Sequence, residues 1–138
     1  MKRRESGFTL MELMVVIVIV AILAAVAVPL YVNYVKDAQR TEAKGAIGAV
    51  ITAEQTYFQL KGTYTTDTFQ QNPGAPGVPA QLLNCDLTDA LNNWSITVTT
   101  ASASGFTVVA TGKPGGPAAS RSVTLAYSRT AQPVWTEN

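Results

Sequence analysis

The chain has 138 residues and a formal net charge of +1, with ten basic and nine acidic side chains, no histidine and one cysteine. The lack of histidine excludes histidine-based catalytic triads and zinc sites built from histidine and cysteine. A single cysteine cannot form a disulfide within the chain, and the few, nearly balanced charges do not indicate a nucleic-acid partner. This length suits one small domain plus an anchor rather than two full domains.

The first element is an apolar run over residues 8–28, in which Glu12 is the only charged residue. At ~1.5 Å per residue, a helix of this length covers the ~30 Å hydrocarbon core of a bilayer. The run is longer than the ~7–15 apolar residues of a secretory signal, and it leads into a helical pattern. Basic residues 2–4 precede it, so the positive-inside rule places the N-terminus in the cytoplasm. We predict a retained membrane-spanning helix.

Glu12 needs an explanation, because a charge at the centre of a membrane helix costs on the order of 3 kcal/mol. One interpretation is an intramembrane acid that binds a partner. Another is a local cap, since Thr9 and Glu12 have the spacing of a capping box with Thr9 at the N-cap. These residues alone leave both interpretations open.

Pro29 lies just after the apolar run. Proline has no backbone N–H, so it leaves the carbonyl oxygen of Ala25 without its helical partner. The sequence therefore predicts a bend in the helix at this position, or its exit from the membrane.

These features together resemble the class III signal and N-terminal helix of type IV prepilins. The match extends over roughly residues 1–60, and its parts occur in the family's order: a basic leader 1–7 that ends in Gly7, the aromatic Phe8, Glu12 at the fifth position after Gly7, and Pro29 late in the run. The resemblance implies that a prepilin peptidase cuts after Gly7 and methylates the new amino group of Phe8. It also implies that Glu12 pairs with the terminal amine of a neighbouring subunit during assembly.

The second half of the predicted helix is amphipathic. Apolar residues recur at i, i+3, i+4 and i+7, and they form one stripe: Ala43, Ala46, Ile47, Val50, Ala53 and Tyr57. Charged residues, among them Glu42 and Glu54, are expected on the polar faces. Lys61 and Gly62 form a stop signal. The helix is thus divided into a membrane and assembly part, 8–30, and an amphipathic part, 31–61.

Residues 62–93 lack clear periodicity and are predicted to be a connecting loop region. They contain a Pro/Gly-rich loop at 70–81 and a short helical turn near 86–91. Cys85 suits a packing role, a reactive thiol or an intermolecular link. We favour packing, because free cysteine is among the most buried residue types.

Three acids in the same region raise the question of a calcium site: Asp67, Asp86 and Asp89. Calcium loops such as the EF-hand supply several oxygen ligands at close, regular spacing. No such pattern is present in the sequence. We therefore predict solvated loop acids and no metal site.

The final part, 94–138, alternates between apolar and polar residues, which is typical of half-buried strands. The predicted strands are 94–98, 106–110 and 123–127, with an edge strand near 134–136. A sheet with one apolar face needs a cover, and the amphipathic stripe can supply it. The fold class is therefore α+β, a long N-terminal helix packed against a small antiparallel β-sheet, which is also the pilin fold.

The leading hypothesis is a structural, non-enzymatic subunit of a type IV pilus. We find no catalytic constellation and expect no cofactor. The resemblance implies a homopolymeric helical filament, a prepilin peptidase/methylase, an inner-membrane assembly platform, and insertion in the inner membrane before assembly into an extracellular pilus. Adhesion, motility and DNA uptake are all compatible filament roles.

The sequence leaves four alternatives to be weighed. A type II secretion pseudopilin and a minor pilin share the same N-terminal features. A single-pass anchored binding module would keep its leader and tolerate loss of Glu12. An anchored enzyme would need catalytic groups that the sequence lacks.

Overall fold

The computed structural model describes residues 7–71 and 81–138. The predicted leader, apart from Gly7, and most of the predicted loop 70–81 lie outside the described residues. The elements in chain order are α1 Leu10–Lys61, β1 Thr68–Phe69, α2 Ala90–Asn93, β2 Trp94–Ala101, β3 Gly105–Gly112, β4 Ser122–Ser128 and β5 Val134–Glu137. The strands form one sheet in the order β1-β2-β3-β4-β5, and every neighbouring pair is antiparallel. The predicted α+β class is confirmed.

Helix α1 has 52 residues and ends where the sequence predicts. After Lys61, Gly62 adopts a φ of 75°, and its N–H donates to the carbonyl oxygen of Phe58 at 2.8 Å. Glycine adopts this left-handed conformation without the strain that a side chain would add, so it terminates the helix. The helix continues through Pro29, and the bend there stays a prediction.

The chain divides into two compact units, one up to Asp37 and the other Ala38–Asn138. The described part of the first unit contains a stretch of α1 with a mean hydropathy of 3.2, none of which is buried within the chain. By length and composition, α1 can therefore cross a membrane.

The second unit has its own hydrophobic core between the C-terminal half of α1 and one face of the sheet. The helix contributes four buried residues of the predicted stripe, namely Ala43, Ala46, Ile47 and Val50. The sheet contributes alternate residues from its strands, namely Phe69, Trp94, Ile96, Val98, Phe106, Val108, Ala110, Val123 and Leu125. Burial of this apolar area is the main force that holds the helix on the sheet.

Two elements differ from the sequence-based expectation. Strand β1 was not predicted, because two residues are too few to show alternation. It pairs with β2 through Thr68↔Thr97 and Phe69↔Ile96, and Phe69 is buried. The short helix α2 begins later than the predicted turn at 86–91, because residues 88–89 form a turn before it.

The prediction that Glu54 lies on a polar face of the helix is wrong. The structure buries it completely. Its Oε2 accepts the backbone N–H of Thr65 at 3.1 Å, because the chain after α1 folds back across this position. Burial raises the pKa of the Glu54 carboxyl, while the hydrogen bond from Thr65 acts in the opposite direction and the nearby Asp67 charge raises the pKa further.

Two glycine-to-alanine substitutions should change stability in opposite directions. A Cβ at Gly112 would overlap the backbone carbonyl of Ala118, whereas a Cβ at Gly45 meets no heavy atom within 4 Å. We expect Gly112→Ala to lower the free energy of unfolding by ~1–3 kcal/mol or more. Gly45→Ala, in mid-helix, should raise it by ~0.5–1 kcal/mol. Urea unfolding of a soluble chain that begins at residue 30 measures both, and shifts of the same sign would contradict the described packing.

Glu54 should make the stability of the second unit depend on pH. Because its folded pKa is raised, the folded state binds more protons than the unfolded state between the two pKa values, so stability falls as the pH rises through that interval. Glu54→Gln should abolish this decrease in the free energy of unfolding with rising pH, which urea unfolding between about pH 4 and about pH 7 measures.

Asp86→Asn is the matched control for this series. A side-chain hydrogen bond from Thr88 lowers the pKa of the Asp86 carboxyl, so Asp86 contributes stability that is lost as the pH falls. Its removal should change the pH slope in the opposite sense to Glu54→Gln. Equal slopes in the wild type and Glu54→Gln would contradict the assignment.

Candidate functional site

Thr9 and Glu12 form a capping box at the start of α1. The backbone N–H of Thr9 donates to Glu12 Oε2 at 3.1 Å, and the Thr9 hydroxyl donates to the same oxygen at 3.0 Å. In return, the backbone N–H of Glu12 donates to Thr9 Oγ1 at 3.2 Å. The two side chains therefore satisfy two amides that have no partner within the helix, as the spacing of these residues predicts.

The capping box occupies one oxygen of the Glu12 carboxylate. Within the described residues, both hydrogen bonds that the side chain accepts go to Oε2. A carboxylate can accept several hydrogen bonds on its two oxygens, so Oε1 remains available to a further donor. The two interpretations of Glu12, a local cap and a partner-binding acid, are thus compatible in one geometry.

Gly7 and Phe8 precede the helix in non-helical backbone. An ideal Cβ at Gly7 would meet nothing within 4 Å, and Phe8 is 83% exposed. Nothing in the described structure therefore requires a glycine at position 7. If the residue is constrained, the constraint comes from a molecule that acts on this junction rather than from the fold.

The surface of α1 around this site is apolar and uncovered. Large apolar side chains between Leu10 and Leu30 are all more than half exposed within the chain. Soluble monomers rarely expose contiguous apolar patches larger than a few hundred Å². This segment therefore needs lipid or other apolar helices around it.

Glu42 has a structural role in the second unit. Its carboxylate accepts the side-chain amide of Asn93 at 3.1 Å and the indole N–H of Trp94 at 3.4 Å. These bonds join the middle of α1 to the start of β2. Sequence reasoning placed Glu42 on a polar face but contained no signal for these distant partners.

The C-terminal strand is also tied to α1 by charge. Glu137 of β5 forms ion pairs with Lys44 Nζ at 2.5 Å and with Arg40 Nε at 3.8 Å. Pairs of this partly exposed kind contribute ~0–1 kcal/mol. They link β5 to α1, while the register of β5 in the sheet is set by its pairing with β4. The partners are far apart in the sequence, so no local pattern predicts these pairs.

The three loop acids occupy different environments, and Asp89 precedes α2 without a side-chain capping hydrogen bond. Asp67 is not simply solvated, because its Oδ2 accepts the backbone N–H groups of Leu82 and Leu83, each at 2.9 Å. The prediction was wrong for this residue, which anchors the returning loop. Asp86 caps the turn at Thr88. Among the described residues, no group of three or more potential metal-ligating side chains occurs.

Cys85 is half-buried beside the hydrophobic core. Burial raises the pKa of its thiol to about 11, and the nearby charges of Asp67 and Asp86 add to the effect. A thiol with a raised pKa is a weak nucleophile at neutral pH, because the thiolate is the reactive form. This environment favours the packing role over the reactive one.

Comparison with known proteins matches two parts of the chain to families. Residues 2–28 match the family described as "Prokaryotic N-terminal methylation motif", and residues 29–123 match "Type IV minor pilin ComP, DNA uptake sequence receptor". The chain is also 44% identical over 77 residues to the "Type IV pilus subunit protein TapA" of Aeromonas hydrophila. That alignment covers 56% of this chain and 51% of the relative, so the matched part is about half the length of the relative.

Cys85 should react slowly while the chain is folded. With a pKa of about 11, the thiolate fraction at about pH 8 is ~100-fold smaller than for an ordinary thiol. We expect an aromatic disulfide reagent to label the folded chain at least ~100-fold more slowly than the chain in urea. The folded rate should still rise at about pH 10; a plateau near pH 9 would contradict the described environment.

Proposed function

The chain belongs to the family of type IV minor pilins represented by ComP, and on that premise we propose that it is a structural, non-enzymatic subunit of a type IV pilus. The observation that carries the proposal is the combination at the N-terminus. An exposed Gly7–Phe8 junction is followed by a capped acid, one oxygen of which has no partner among the described residues, and by an apolar helix that those residues leave uncovered. The junction is suited to a peptidase, the acid to the amine of another subunit, and the apolar helix to the membrane.

The membrane is the first proposed partner. Before assembly, residues 8–28 span the inner membrane once, with the basic leader on the cytoplasmic side. A prepilin peptidase cuts after Gly7 and methylates the amino group of Phe8. The open space around Gly7 supports this step, because the junction is accessible and no described residue lies where a side chain at position 7 would begin.

The second proposed partner is another copy of the chain, docked with the help of the inner-membrane assembly platform. The terminal amine of Phe8 in one subunit approaches the free Oε1 of Glu12 in the next. Opposite unit charges ~4 Å apart attract by ~4 kcal/mol at an effective dielectric constant of ~20, and desolvation offsets part of this gain. Since the capping bonds use Oε2, the subunit can keep its cap while it docks. Glu12 then sets the register of the helices in the filament.

DNA binding is a second candidate function, because the matched family is described as a DNA uptake sequence receptor. Residues 38–138 carry six basic and six acidic side chains. Several of the cations have partners within the chain: Lys44 binds Glu137, Lys113 donates to the Leu91 carbonyl, and Arg129 lies over the Phe58 ring. Binding to DNA depends on cations that neutralise phosphates. We therefore place DNA binding second, and the expectation that nucleic acid is not indicated stays a prediction.

Two variants separate the charge of Glu12 from its capping role. Glutamine also completes a capping box, so Glu12→Gln keeps the cap and removes the charge. Thr9→Val removes the two hydrogen bonds of the Thr9 hydroxyl and keeps the charge. We expect Glu12→Gln to be cleaved and methylated but to be lost from filaments sheared off intact cells, whereas Thr9→Val still assembles. Mass measurement of the sheared and cell-bound fractions tests both.

The wild-type chain in the sheared fraction should begin at Phe8 and carry one added methyl group. An uncut chain in the membrane of peptidase-competent cells would contradict the proposal and favour an anchored binding module. A processed chain found only with the cells would favour a pseudopilin or a sparse minor subunit. Normal assembly of Glu12→Gln would leave the acid with its capping role alone.

A further inference from the structure

The outer face of the sheet, which points away from α1, has an unusual composition. Strand register identifies its members as the residues that alternate with the buried ones, and all of them are exposed or half-buried. Besides Gly105, which has no side chain, seven members are threonine, three serine, two valine and one alanine: Thr68, Ser95, Thr97, Thr100, Thr107, Val109, Thr111, Ser122, Thr124, Ala126, Ser128, Val134 and Thr136. We call this set the hydroxyl face.

No member of the hydroxyl face is charged. Threonine is a strong strand former, which accounts for its presence but not for the lack of lysine, arginine and glutamate, since charged residues typically make up about a quarter or more of a protein surface. The one charged residue in the five strands, Glu137, lies on the opposite side and pairs with α1. A face without charges is therefore a property of this side of the sheet.

The hydroxyl face is also regular. Its central row crosses all five strands in direct register: Thr68, Thr97, Val109, Thr124 and Thr136. Neighbouring strands lie ~4.8 Å apart, so this row extends ~19 Å. Parallel rows lie two residues to either side, at ~6.7 Å along the strands.

The hydroxyl groups of this row are available to a partner. Within the described residues, the side-chain hydroxyls of Thr97, Thr124 and Thr136 make no hydrogen bond to the protein. At one end of the face, Thr100, Thr107 and Ser128 line a shallow depression of about 310 Å³. The face thus combines rows of hydroxyl groups, three of which have no hydrogen-bond partner among the described residues, with a depression at one end.

This chemistry excludes several classes of partner. Nucleic acid needs cations opposite its phosphates, and the face has none. A lipid surface or a stable dimer needs larger apolar or aromatic side chains, but the face offers only two valines and one alanine. A small molecule is usually held in a cleft that encloses most of its surface, whereas the depression at the end of this face is open to solvent.

We propose that the hydroxyl face binds the surface of an uncharged polysaccharide. Each threonine or serine hydroxyl can both donate and accept a hydrogen bond, as can each hydroxyl of a sugar. The threonine methyl groups supply apolar contact with the C–H faces of the sugar rings. Because neither surface is charged, contact avoids the large cost of removing ions from water. The proposal rests on the pilus function, because a filament displays many copies of a weakly binding face and so raises the avidity for a polysaccharide surface.

The test uses the full chain in proteoliposomes, which display many copies without any need for a filament. Microcrystalline cellulose and chitin serve as the uncharged probes, and pelleting with the particles measures binding. We expect wild-type vesicles to pellet equally at about 50 mM and about 500 mM salt, because no ionic contact is involved. Thr97→Lys/Thr124→Lys should reduce the pelleted fraction at least ~10-fold, since many weak contacts are lost together.

Two further variants control this result. Thr97→Val/Thr124→Val removes the hydroxyls while it keeps the side-chain shape and strand preference, and it should also reduce binding. Thr56→Lys adds a lysine on α1, where Thr56 is exposed and bonds only to the Thr52 carbonyl, and it should bind as the wild type does. Circular dichroism of each variant establishes that the fold is kept.

Several outcomes would overturn the proposal. These are no binding to either polysaccharide, equal binding by the double variants, or binding that disappears in salt. Vesicles that cluster through the hydroxyl face without polysaccharide would identify a second copy as the occupant, and shaping of ice crystals would identify ordered water. Since the vesicles need no filament, these results are independent of whether the chain assembles into a pilus.

Discussion

The constraint on which this protein depends is an apolar helical surface that the described residues of its own chain do not cover. From Leu10 to Leu30 the side chains of α1 are exposed and almost entirely hydrocarbon. Such a surface is stable only in lipid or among similar helices. Glu12 is the one charged group in it, and the capping box with Thr9 lets the acid stay there partly satisfied. The membrane state and the proposed filament state are two ways to meet the same constraint.

In the second unit, the same helix is covered by the sheet of its own chain. Beyond Asp37 the apolar residues of α1 narrow to a stripe, and that stripe is buried by the inner face of the sheet. Polar contacts at the margins, such as those of Glu42 and Glu137, add links between the helix and the strands. The sheet therefore has two distinct faces: an inner one that supplies the core and an outer one of hydroxyl and methyl groups. The inner face of the sheet thus stabilises the fold, and the outer face is the proposed binding surface.

The sequence predicted elements wherever a local repeat is long enough to be seen. The stripe from Ala43 to Tyr57 and the alternation in β2, β3 and β4 identified the helix, the strands and their packing. The capping box and the Gly62 stop were visible because each depends on neighbours within four residues. Strand β1 was not predicted, because two residues are too few to show alternation. The placement of Glu54 and Asp67 was wrong, because their hydrogen-bond partners lie in loop segments that are distant from them in the sequence.

The sequence by itself determined the membrane-grade helix, the order of groups around Gly7 and Phe8, the fold class and the family resemblance, because these depend on composition and on short-range spacing. Only the tertiary structure decided that Glu54 is buried, why the pKa of the Cys85 thiol is raised, and that the hydroxyl-bearing residues of five strands lie in register on one face of the sheet. Those properties arise where strand register and loop return bring together residues that are distant along the chain. A local sequence pattern does not predict these contacts, because hydrogen bonding, burial and electrostatic environment depend on the neighbours that the fold supplies.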